Sequence, residues 1–137
     1  MIDVPKGIAL WLHLSCVVLL IGGALYGRMA LGAATIVLPE DSADKFGDTA
    51  AARYRFWILI SIVLLFFTGI FNYLATGAHS QRYHILLAIK LLLVLHIFAS
   101  TLLATRPSNP RRARQLLGAA ISGFGVILIA VYMSQIA

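Results

Sequence analysis

Acidic side chains are scarce in this chain. Five Asp and Glu stand against eleven Lys and Arg in 137 residues, a formal net charge of +6. Charged residues make up 12% of the sequence, where an ordinary soluble domain carries about 25%. Cys16 is the lone cysteine, which excludes an intrachain disulfide. There is no Gly-rich phosphate loop, no C-x-x-C, no His-x-His and no Met-x-Met. Nothing arranges a Ser or Cys nucleophile with a base. Apart from Asp3, every acid falls between Glu40 and Asp48, where solvation accounts for it.

What is present is apolar. The composition is 61% hydrophobic, with a mean hydropathy of +0.91. A soluble domain this small lacks the interior volume for so much apolar surface. A soluble globular protein, a disordered chain and a disulfide scaffold are therefore excluded. A basic balance can indicate nucleic acid. Here the basic residues sit between long apolar runs, so membrane topology and lipid headgroups explain them better, and no nucleic-acid partner is expected.

Four apolar runs predict four membrane-spanning helices, at approximately 7–30, 56–75, 83–104 and 116–136. About 20 residues at 1.5 Å each cross a hydrocarbon core of ~30 Å. In lipid the backbone must satisfy its own hydrogen bonds, so each run is expected to be helical. The reading is all-α: a single integral membrane four-helix transmembrane bundle. The first run exceeds a signal-peptide core of about 7–15 residues and is preceded by Asp3, so it is expected to stay as a span. Pro39–Arg55 reads as a polar connection, Thr76–Arg82 as a short one, and Arg106–Arg114 as a proline-bounded basic loop.

Orientation follows from Lys and Arg. Arg28, Lys45, Arg53, Arg55, Arg106, Arg111, Arg112 and Arg114 belong to the first and third connections, against Lys6 and Arg82 on the other side. The positive-inside rule puts the basic connections in the cytoplasm and both termini outside, as in a bacterial inner membrane.

His13, Cys16, Leu20, Gly23 and Gly27 follow 3-4-3-4 spacing, one seam on the first helix. That seam is expected to face the bundle interior, with the glycines there for close packing.

An ionisable side chain inside a membrane is costly and is a functional candidate by default. His13, Lys90 and His96 qualify. Counted from Gly7 and Tyr83, His13 lies ~9 Å deep, Lys90 ~10 Å and His96 ~20 Å. His13 and Lys90 match in level. Lys90 and His96 project about 120° apart around their helix. His13 is either a ligand of haem iron or copper or a histidine bonded to a neighbouring helix. Cys16, three residues on, could complete half of a soft metal site. His96 is either a second ligand or a partner of Ser100 or a facing hydroxyl. Lys90 either snorkels outward or holds an anion such as a propionate. His79 and His84 lie at the outer end, where water reaches them.

The first run, ALWLHLSCVVLLIGGALYGRM, resembles the opening helix of copper-resistance D (CopD) family membrane domains. RYRFWILISIVLLFFTGIFNYL resembles their second core helix, with T-G in its middle. QRYHILLAIKLLLVLHIF and RRARQLLGAAISG resemble their later segments. HemJ-type protoporphyrinogen oxidases look like relatives of that family. Their early-helix histidine and K-L-x-L-V-L lysine bear on haem binding and activity, and these positions fall on His13 and Lys90 here. After the first helix this chain departs from that family, reading LYGRMALGAAT.

The resemblance implies a membrane protein of b-type haem, or another tetrapyrrole, with an electron-transfer or redox role. His13 and His96 would be candidate iron ligands and Lys90 a propionate holder. The alternatives are a copper-handling protein using His13, Cys16 and His96, and a non-catalytic subunit or assembly factor of a membrane complex. Expected partners are the lipid bilayer and either a membrane redox protein or a second copy of the chain.

Overall fold

The computed structural model describes residues 3–136, which form four helices and no other regular element. Helix α1 spans Val4–Val37 and starts on Asp3, whose side chain accepts from the Lys6 amide at 3.3 Å. Pro5 sits in its first turn, where no intrahelical donor is lost. The helix stops at Leu38, held extended by the proline that follows.

Helix α2 spans Glu40–Ala75. Pro39–Arg55 is thus mostly helix rather than a polar connection. Ala43, Gly47 and Ala51 are its buried residues there, spaced four apart on one face, and Gly47 lies against Leu31 of α1. That small-residue spacing packs the charged half of α2 onto α1, while Glu40, Asp41, Asp44, Lys45 and Arg53 are exposed. Glu40 and Asp41 in the first turn also suit the positive end of the helix dipole.

Gly77 ends α2 in a left-handed conformation, with φ of 79°, the usual device for stopping a helix. Helix α3 spans Gln81–Ala104 and is capped by the Ser80 hydroxyl, which accepts from the Tyr83 amide. After the turn containing Pro107 and Pro110, helix α4 spans Arg112–Ile136.

All four helices are long and apolar enough to cross a membrane. At 1.5 Å per residue α1 and α2 each run about 50 Å or more, so together they extend beyond a ~30 Å core. α1 packs between α2 and α4, α3 packs on α4, and α2 touches α3 only slightly. The fourth side of the bundle is therefore loosely closed. Ala24, Ile97, Leu116, Ala119, Ala120 and Val126 form the core. Phe66, Phe67, Leu92, Leu95 and Leu128 face outward, a surface that lipid covers and water would not tolerate over this area.

The expected seam on α1 faces inward at its centre: Cys16 and Leu20 are buried, and the ring of Tyr54 occupies the space a side chain at Gly23 would need. The Tyr54 hydroxyl donates to the carbonyls of Leu19 and Leu20 on α1, at 3.0 and 2.9 Å. The glycine of that seam is thus a seat for a tyrosine from α2.

Candidate functional site

His13 lies on the part of α1 that faces α2. Its Nδ1 is 2.9 Å from Thr68 Oγ1, and the Thr68 hydroxyl donates onward to the Leu64 carbonyl at 2.6 Å. Thr68 has one proton, and the carbonyl can only accept. Thr68 Oγ1 must therefore be the acceptor from His13, which puts the imidazole proton on Nδ1. Nε2 is left with a bare lone pair and makes no hydrogen bond among the described residues. Gly69 lies beside the ring: a Cβ at that position would stand 3.6 Å from Cε1. The T-G pair of α2 thus serves this histidine twice, as hydrogen-bond acceptor and as open space.

Lys90, on α3, is half-buried and lies within electrostatic reach of His13. It forms neither a hydrogen bond nor an ion pair among the described residues.

His96 has the opposite arrangement. Its Nδ1 lies 2.9 Å from Ser122 Oγ on α4, and its Nε2 lies 3.3 Å from Ser100 Oγ one turn along α3. A neutral imidazole donates through one nitrogen and accepts through the other, so both are engaged. Gly118 of α4 adjoins its ring. The ring is turned toward α4 rather than toward His13.

Cys16 is 3% exposed, and its thiol faces the hydroxyl of Ser61 on α2. Among the described residues no group of three or more His, Cys, Asp and Glu is placed to hold a metal ion.

At the end bearing both termini, the His79 ring is stacked between Tyr73 and Tyr83, with centroids 4.9 and 4.0 Å away. Tyr73 also reaches His84 Nε2 at 3.2 Å, while His84 Nδ1 donates to the Ser80 carbonyl at 3.0 Å. This cluster ties the α2–α3 turn to the helix ends.

Sequence reasoning missed the other end. Arg112 is 7% exposed. Its Nε donates to the Ala104 carbonyl at 2.8 Å, and its Nη2 donates to Asp48 Oδ1 and to the Arg106 carbonyl, both at 2.7 Å. The Ser108 amide donates to the same Asp48 oxygen at 3.0 Å. These two donors, the Arg112 guanidinium first, hold the Asp48 carboxyl below its usual range. The clamp fastens the α3–α4 turn to α2. A lone acid opposite an arginine sixty-four positions away leaves no local pattern.

Comparisons with protein-family models, with curated proteins and with solved structures return no match. The observations above stand on residue chemistry and on a four-helix, membrane-like bundle.

Proposed function

We propose that this protein binds one b-type haem within the membrane and serves electron transfer or another redox role. The observation that carries the reading is the state of His13: Nδ1–H given to Thr68, and Nε2 without a hydrogen-bond partner among the described residues. An outer partner on one ring nitrogen fixes the tautomer and turns the other nitrogen into a ligand. His13 Nε2 would hold the iron, and Lys90 would pair with a propionate. The slight contact between α2 and α3 is a side through which a flat macrocycle could enter from lipid. When bound, the haem supplies one-electron chemistry at its iron, tuned by the axial ligand and by burial.

A single imidazole nitrogen without a partner suits haem. A porphyrin brings four nitrogens of its own and asks one ligand of the protein. That single ligand is what an imidazole with one free nitrogen offers. The likeness to CopD and HemJ-type proteins supports the same choice of His13 and Lys90. Both nitrogens of His96 are engaged, so His96 acts in this proposal as a tie between α3 and α4. The protein sits in a bacterial inner membrane with its basic connections inside and its termini outside, and exchanges electrons with a membrane redox protein or a second copy of itself.

The test is absorbance of the detergent-purified protein supplemented with haem. The expected result is a Soret band, shifted on reduction, that His13→Ala removes. A colourless wild-type protein overturns the proposal.

A further inference from the structure

The histidine chemistry leaves one cavity unused. It holds about 250 Å³ between α1 and α2, where the α3–α4 turn meets them. Small residues hollow it: Gly23, Gly27 and Ala30 from α1, and Gly47, Ala50 and Ala51 from α2. Tyr26, Phe46 and Leu116 complete an apolar wall. The polar side chains that reach it are Tyr54, Thr105 and Arg112.

Hydrogen-bond accounting singles out one atom. Tyr54 spends its proton on the carbonyls of α1, and Thr105 spends its own on Leu102. Arg112 uses Nε and Nη2 in the clamp, but Nη1 donates to nothing among the described residues. Nη1 lies 2.8 Å from where a Cβ on Gly47 would stand, and both residues line the cavity, so the glycine leaves room beside Nη1. A side chain that is nine-tenths buried therefore presents unpaired guanidinium N–H groups to an apolar slot. The ligand that satisfies this site carries an anionic oxygen on a slim apolar body.

The position names the source. Arg112 begins α4 and Thr105 caps α3, so the cavity lies where the spans end and lipid headgroups begin. Arg55 binds Thr105 at 3.1 Å, and Arg53, Arg106 and Arg111 add positive charge nearby. Such juxtamembrane basic clusters attract anionic lipid. The volume falls below the ~300–1,000 Å³ of sites for drug-sized ligands, which suits a chain segment and not a macrocycle. We propose that the cavity seats an anionic phospholipid of the adjoining leaflet, its phosphate on Arg112 Nη1 and the first carbons of one acyl chain between α1 and α2.

Native mass spectrometry of the full chain in detergent tests this, with dioleoyl phosphatidylglycerol, dioleoyl phosphatidylcholine and oleate as separate probes. The expected result is a single retained phosphatidylglycerol, favoured over phosphatidylcholine by about tenfold: both bring the phosphate that Arg112 would hold, but the choline cation is repelled by the surrounding arginines. Ala50→Leu, which fills the slot without touching the clamp, and Arg112→Lys, which keeps the charge but loses the open fork, are each expected to remove that preference. If Arg112→Lys does not fold, Ala50→Leu decides alone. Equal retention of both phospholipids, an unchanged preference in Ala50→Leu, or binding of oleate with none of phosphatidylglycerol overturns the proposal. The readout is lipid mass, so its outcome is independent of whether haem binds at His13.

Discussion

His13 and His96 are the same side chain on two membrane-spanning helices, and the bundle treats them differently. His96 meets a hydroxyl at each nitrogen, Ser122 and Ser100, and so closes on itself as an interhelical tie. His13 meets one hydroxyl, and that hydroxyl is already committed to the Leu64 carbonyl. Burial separates the two as well: His13 is half-buried and His96 exposed. The difference that bears on ligation is how many acceptors and donors the neighbouring helices supply, and a histidine short by one partner is the one available to a ligand.

The largest effect that can break this comparison is deletion of each ring in turn. His13→Ala is expected to abolish haem absorbance, and His96→Ala to leave it in place, as read in spectra of haem-supplemented protein. Equal losses would erase the distinction. A smaller change sharpens it. Thr68→Val keeps the shape but removes the acceptor that fixes the His13 tautomer, and haem affinity is expected to fall by about 10–100-fold, the usual cost of losing such an outer partner. A spectroscopic titration with haem measures it.

Ser122→Ala should act only on stability. Interhelical hydrogen bonds in membranes are worth about 0.6 kcal/mol on average, so a small drop in the apparent melting midpoint with an unchanged spectrum is expected. The least effect on either histidine comes from the far clamp. The Asp48 carboxyl is held below its usual range by Arg112 and Ser108, so its folded pKa lies under its unfolded one. Its contribution is present above the ordinary carboxylate pKa of about 3.9 and is lost as pH falls through the lower folded value. Asp48→Asn is expected to flatten that part of the acid limb of a melting-midpoint profile, with the haem spectrum at neutral pH unaffected.

Much of this was written in the sequence at the level where period and length speak. Four runs long enough for a bilayer became four helices. The first half of α2 was hidden because its charge composition outweighed a quieter signal, Ala43, Gly47 and Ala51 at four-residue spacing. The partners of the histidines were hidden for another reason. Thr68 and Ser122 lie 55 and 26 positions from the rings they bind, and no local periodicity specifies which helix face meets which. Arg112 read as one more topology-setting charge, because nothing near it in sequence says that Asp48 waits on another helix.

The most direct test of the central claim is the difference spectrum, reduced minus oxidised, of the haem-supplemented protein beside its His13→Ala and His96→Ala variants. The account predicts a Soret and visible-band signature shared by wild type and His96→Ala and missing from His13→Ala. A signature that survives loss of His13 would contradict it.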